Sequence, residues 1–179
     1  METLSVPRAT VWRPRQTLYQ QRQLLARALT RMPVDTATKS LEWLRTVLAS
    51  RGIPTVILEW HLRAISQALA VEFPEQNELP ARFDRFLSGL ETERRAIAGG
   101  ETSRLVERFN RRFCVCQGLV VDSAAVLIAS AWVDEQGGIH GALAATRDWF
   151  IDDGRFSREW IGIVNDLVTE LDQAGGSSC

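Results

Sequence analysis

The sequence predicts an all-α fold, a helical-bundle single domain of about six to seven helices, on three grounds. Apolar residues recur every third or fourth position along most of the chain, which is the spacing of one buried helical face. Glycine and proline interrupt that pattern at Met32-Pro33, Gly52-Ile53-Pro54, Gly99-Gly100 and Gly137-Gly138, where helices end. A hydrophobic content of 45% over 179 residues suffices for one core.

In chain order, residues 1–13 read as a flexible arm and 14–173 as the helical domain. Pro14 suits the first turn of a helix carrying Leu18, Leu25 and Leu29 and stopping near Met32-Pro33. Asp35 or Thr36 caps a second helix with Ala37, Leu41, Leu44 and Leu48 inward; Gly52 ends it and Pro54 prevents its continuation. Thr55 caps the third, where Leu58, Leu62, Ile65 and Leu69 form a stripe widened by Ile57, Ala64 and Ala68. A fourth helix runs from Ala81 to Ile97 with Phe83, Phe86, Leu87 and Leu90 inward, and Gly99-Gly100 ends it.

From Ser103 the spacing of Leu105, Phe109, Phe113, Cys116 and Val120 predicts one long buried helix reaching Trp132. A short hairpin over 126–143, turning at Asp134-Glu135-Gln136-Gly137-Gly138, is the alternative, because Val and Ile also favour strands. Helices over 140–151 and 156–172 follow, the last with Trp160, Ile161, Val164, Val168 and Leu171 on one side. Residues 174–179, AGGSSC, have the composition of a flexible tail ending in an exposed Cys179.

Composition narrows the function classes. A formal net charge of -1 gives no field to attract nucleic acid. All but Lys39 of the 21 basic residues are arginine, and pairs such as Arg94-Arg95 and Arg111-Arg112 read as solvated helix faces. Cys114, Cys116 and Cys179 make no disulfide framework, and the first residues lack the apolar core of a signal peptide, so a cytoplasmic location is expected. The apolar stretch from Gly118 to Val133 is shorter than the roughly 20 residues of a membrane span and contains Asp122.

Few residues carry candidate chemistry. Helical rotation puts His61 inside the apolar arc of its helix, at least half-buried, where an imidazole needs hydrogen-bond partners or ligates a metal or haem iron. His140 follows the Gly137-Gly138 turn at an accessible helix start. The two histidines lack a carboxylate at ligand spacing, so no metal site is expected. Cys114 and Cys116 share a face only if they lie on a strand. Asp122 interrupts an apolar run, where a carboxylate must be paired with an arginine, protonated or set in a cavity wall. The tryptophans, Trp60 and Trp132 among them, either line a flat cofactor's pocket or fill the core. Phosphate-loop, dinucleotide and nucleophile-elbow motifs are missing from the sequence.

The stretch Lys39 to Phe73, with Trp43-Leu44-Arg45, the link Leu48-Ala49-Ser50-Arg51-Gly52-Ile53-Pro54 and a leucine-rich helix after it, resembles the paired helices of helical sensory domains in bacterial regulators. Two groups share that pattern: the non-haem globin-like sensor of RsbR-type stressosome proteins, and the helical region preceding cobalamin-binding modules. The sequence after Trp132, VDEQGGIHGALAAT, lacks the corrin-binding motifs of the second group. The resemblance implies a globin-like helical sensor rather than an enzyme, one that either holds an apolar small ligand or has lost one and acts through helix-mediated association, as a homodimer or with a protein partner. No cofactor is expected on this reading. The alternatives are a haem- or tetrapyrrole-binding protein with His61 or His140 as single axial ligand and Trp60, Trp132 and Asp122 around it, and a small enzyme using Asp122 with His140.

Overall fold

A computed structural model describes residues 34–72, 74, 78–116 and 121–176, and among them every regular element is a helix. The N-terminal arm, the helix expected from Pro14 to Met32, and Cys179 lie outside the described residues. Six helices follow in order: α1 (Val34–Ala49), α2 (Thr55–Glu72), α3 (Glu78–Phe113), α4 (Ala124–Gln136), α5 (Ala142–Phe150) and α6 (Arg158–Gly176). None is long and apolar enough to cross a membrane. The hairpin alternative over 126–143 is not adopted: that segment is the end of α4, a turn and the start of α5.

The first link forms as its sequence dictates. Ile53 N–H donates to Leu48 O and Gly52 N–H to Ala49 O, both at 3.0 Å, which is the paired closure of a Schellman turn with glycine in the left-handed position. α3 is broken at Gly99, whose φ of 62° and ψ of -178° suit glycine alone. Glycine therefore ends the helix where expected, and the chain resumes helix at once in a new direction.

The expected helix from Ser103 to Trp132 is instead two helices. α3 tightens and stops after Phe113, and Ser123, at φ 65°, precedes α4. The helical spacing persists across the break because Phe109, Phe113 and Cys116 on one side and Ala124, Ala125 and Ile128 on the other enter the same core. Burial preserved the period, not a continuous helix. At the other end α6 runs to Gly176, so the first three residues of the AGGSSC tail are helical.

α4 is buried nearly all round, as a helix with apolar residues on every face must be, and packs against α2, α3, α5 and α6. The larger core joins the second half of α3, α4, α5 and α6, with the rings of Phe113, Phe150 and Phe156 each against Trp160. A smaller core joins Leu58 and Leu62 of α2 to Phe83 and Leu87 in the first half of α3, with α1 against it. The Gly99 break lies where these two cores meet.

Candidate functional site

α2 approaches α4 through a polar cap. The first N–H groups of a helix have no partner within it, and here Thr55 N–H donates to Asp134 Oδ2 at 2.8 Å and Val56 N–H to Ser130 Oγ at 3.1 Å. Thr55 does not cap its own helix as expected. Its hydroxyl donates to Asp134 Oδ1 at 2.5 Å and accepts from Arg45 Nε at 3.1 Å. Arg45 also makes a two-pronged pair with Glu93, at 2.7 and 3.0 Å. Burial pushes the Asp134 carboxyl above the usual range, against the hydrogen bonds from Thr55 and the charge of Arg45. The cluster ties α1, α2, α3 and α4 together and fixes the rotation of α2.

One turn further along α2, that rotation turns Glu59 inward beside Leu58 and Leu62, leaving its side chain 1% exposed. Arg94, from the first half of α3, donates to Oε1 at 2.7 Å. Oε2 has no hydrogen-bond partner but forms an ion pair with Arg63 at 3.7 Å. Burial raises the Glu59 pKa; Arg94 and Arg63 pull it down and Glu91 adds to the rise. Glu59 lies in the wall of a cleft of about 410 Å³ where α2, the Gly99 break of α3, and α4 meet. Trp60, Ala98, Val106 and Val126 supply apolar walls, and Ser130 belongs both to this cleft and to the cap. A larger groove of about 510 Å³ between α1 and α3 is lined by Leu41, Phe83, Phe86 and Leu90. Arg45 and Glu93 on it are satisfied by each other.

The expected site residues separate. Trp60 lines the cleft, 42% exposed. His61 is exposed, its Nδ1 2.8 Å from Ile57 O, which corrects the expectation of burial. α2 is apolar around most of its circumference, so several rotations satisfy the same spacing; the one adopted centres on Leu58, Glu59, Leu62 and Ser66. His140 stands in a turn with its side chain 92% exposed, 3.9 Å from Glu135. Neither imidazole lines either cavity, so the axial-ligand reading gains no pocket. Trp132 is core, 2% exposed, and its indole N–H donates to Asp172 at 3.0 Å.

Asp122 is exposed in the turn before α4. It and His140 flank opposite ends of a 13-residue helix, roughly 20 Å long, so the acid–base pair of the enzyme alternative is not formed. Cys114 is exposed and Cys116 buried in the turn after α3, on no strand. Arg94, expected on a solvated face, is committed to Glu59. Sequence reasoning missed Glu59, Arg94 and Asp134. The available signal was the placing of two carboxylates inside apolar runs, between Leu58 and Leu62 and after Trp132-Val133. No group of three or more His, Cys, Asp or Glu among the described residues is arranged to hold a metal ion. No protein-family model, curated protein or solved structure matches the chain.

The raised pKa of Glu59 has a testable sign. Above the ordinary value of 4.5 the unfolded carboxyl has lost its proton while the folded one retains it, so stability falls as pH rises through that window and is level beyond it. Glu59→Gln removes the titration. The stability of wild type relative to Glu59→Gln is therefore expected to decline as pH rises above the ordinary value of 4.5 in urea unfolding. A difference independent of pH would contradict the assignment.

Proposed function

We propose that this chain is a non-enzymatic helical regulatory module of the cytoplasm that senses a small ligand in the Glu59 cleft and responds by self-association. The observation that carries the reading is the buried Glu59 side chain in a cleft wall, one oxygen hydrogen-bonded by Arg94 and the other held only by an ion pair with Arg63 at 3.7 Å. The resemblance of residues 39–73 to helical sensory domains of bacterial regulators agrees with this reading.

Association is supported by the outer face of α2. Trp60, Ile65 and Val71 are 42%, 45% and 82% exposed on it, with the exposed Ala64 and Ala68 between them. Large apolar side chains exposed on one helix mark an interaction face, and a twofold axis would bring it against its own copy. Wild type is expected to sediment with a concentration-dependent, dimer-directed increase that the double variant Ile65→Asp, Val71→Asp abolishes while remaining folded by circular dichroism. A concentration-independent wild-type monomer would defeat the self-association reading.

A further inference from the structure

We infer that residues 14–32 of this chain fold back as a helix into the groove between α1 and α3 and close the smaller core from outside. That core is incompletely covered. Leu58, Leu62, Phe83 and Leu87 are buried, but Leu41 of α1 and Phe86 of α3 pack against them while still partly exposed, and both line the groove of about 510 Å³. Gly89, inside α3, lies on the same groove, and no described atom stands within 4 Å of the place a β-carbon would take. The groove is therefore open to a close neighbour at that point.

Where the chain enters α1 selects the occupant. The predicted helix stops near Met32-Pro33 and α1 begins at Val34, and a link this short makes the two helices antiparallel neighbours. As a helix, residues 14–32 span about 28 Å, enough to pass the 16 residues of α1, about 24 Å long. Counting back from the link sets Leu29 level with Ala37 and Leu25 level with Leu41, both of them groove residues. Leu18, Leu25, Leu29 and Met32 share one helical face, the kind of apolar stripe that seats in a groove between helices. The opposite side of α1 is the poorer seat, because its exposed Trp43 stands between the exposed polar residues Lys39 and Thr46.

Charge agrees with this occupant. Residues 1–33 hold Arg8, Arg13, Arg15, Arg22, Arg27 and Arg31 against the single acid Glu2, in a chain of net charge -1, so the rest of the chain carries an acidic excess. On the groove itself Arg45 is paired with Glu93 and Arg82 with Glu78, and Arg85 donates to the carbonyl of Ala81. Glu42, exposed on the α1 rim, has no ion pair among the described residues. Arg22 borders the apolar stripe of the segment near the level of Glu42, so the pose that seats the leucines brings a cation toward that rim.

Hydrogen exchange of the full chain tests whether the segment docks, and NOEs from its methyl groups test where. Amides of residues 18–32 are expected to exchange at least about tenfold more slowly than in a free peptide, with NOEs from the methyls of Leu25 and Leu29 to the rings of Phe83 and Phe86 within one chain. Gly89→Trp, which fills the groove from α3, is expected to remove that protection while α4 and α6 keep theirs. The double variant Leu25→Asp, Leu29→Asp is expected to do the same from the side of the segment. The wild-type NOEs require no variant to fold, and their absence would overturn the docking, as would free-peptide exchange over residues 18–32. Protection that survives Gly89→Trp, or NOEs to Trp43 in place of Phe83 and Phe86, would overturn the groove as the seat. NOEs seen only between differently labelled chains would assign the groove to a second copy and overturn closure by the chain's own segment.

Discussion

Asp134→Ala is expected to lower the unfolding free energy by about 3 kcal/mol or more, in the range found when one member of a buried, hydrogen-bonded charge cluster is removed. Asp134 is 1% exposed and accepts from both the backbone N–H and the hydroxyl of Thr55, with Arg45 3.5 Å away. Alanine strands a buried N–H at the positive end of α2 and takes a counter-charge from a largely buried guanidinium. Asp134→Asn separates charge from hydrogen bonding. Its carbonyl can accept from Thr55 N–H while its amide donates to the Thr55 oxygen, so a loss of about half that size is expected. Urea unfolding measures both; an alanine variant within about 0.5 kcal/mol of wild type, the range of ordinary surface changes, would show that the cap does not hold α2.

The same substitution bears on the ligand cleft, because Glu59 is one turn from the capped end of α2 and owes its inward position to the rotation the cap enforces. Asp134→Ala should therefore disturb the Glu59–Arg94 pair as well as stability. Asp134 touches no cleft ligand on this reading and acts as a positioning residue.

What could be read from the sequence was local. The end of α1 at Gly52, the break at Gly99 and the α6 stripe through Trp160, Val164 and Leu171 each depend on residues within a few positions of one another, and each is found. The rotation of α2 could not be read, because Ile57, Trp60, Ile65 and Val71 make its outer face nearly as apolar as its inner one. Only the distant partners settle it: Asp134 is 79 residues from Thr55, and Arg94 is 35 from Glu59. His61 drew attention as an imidazole on an apolar helix, whereas the buried polar groups are carboxylates whose partners lie on other helices. Asp122 and Asp134 interrupt one apolar region, and spacing alone gave no ground to prefer the second.

Gly52 carries the other large expected effect, since two independent constraints meet at one residue. The Schellman turn that ends α1 holds Gly52 at φ 81°, and a side chain in that region costs about 1–2 kcal/mol. The tertiary constraint adds to it. A β-carbon there would stand 2.8 Å from Ala145 O and 3.0 Å from its carbonyl carbon, backbone atoms of a helix that cannot swing aside as a side-chain tip can. Just before the turn, Ala49 packs with Ile139 and Ala142, so relief by moving α1 would open that contact and pull Arg45 from Glu93. Gly52→Ala is therefore expected to cost about 3 kcal/mol or more, beyond the cost of the left-handed conformation alone. The two parts can be separated by Gly52→Asn, whose side chain tolerates the left-handed region but still meets Ala145. If asparagine restores stability to within about 0.5 kcal/mol of wild type, the close approach of α1 to α5 is wrong; if it remains nearly as damaging as alanine, the packed turn is what fixes α1, and with it Arg45, over the cap of α2.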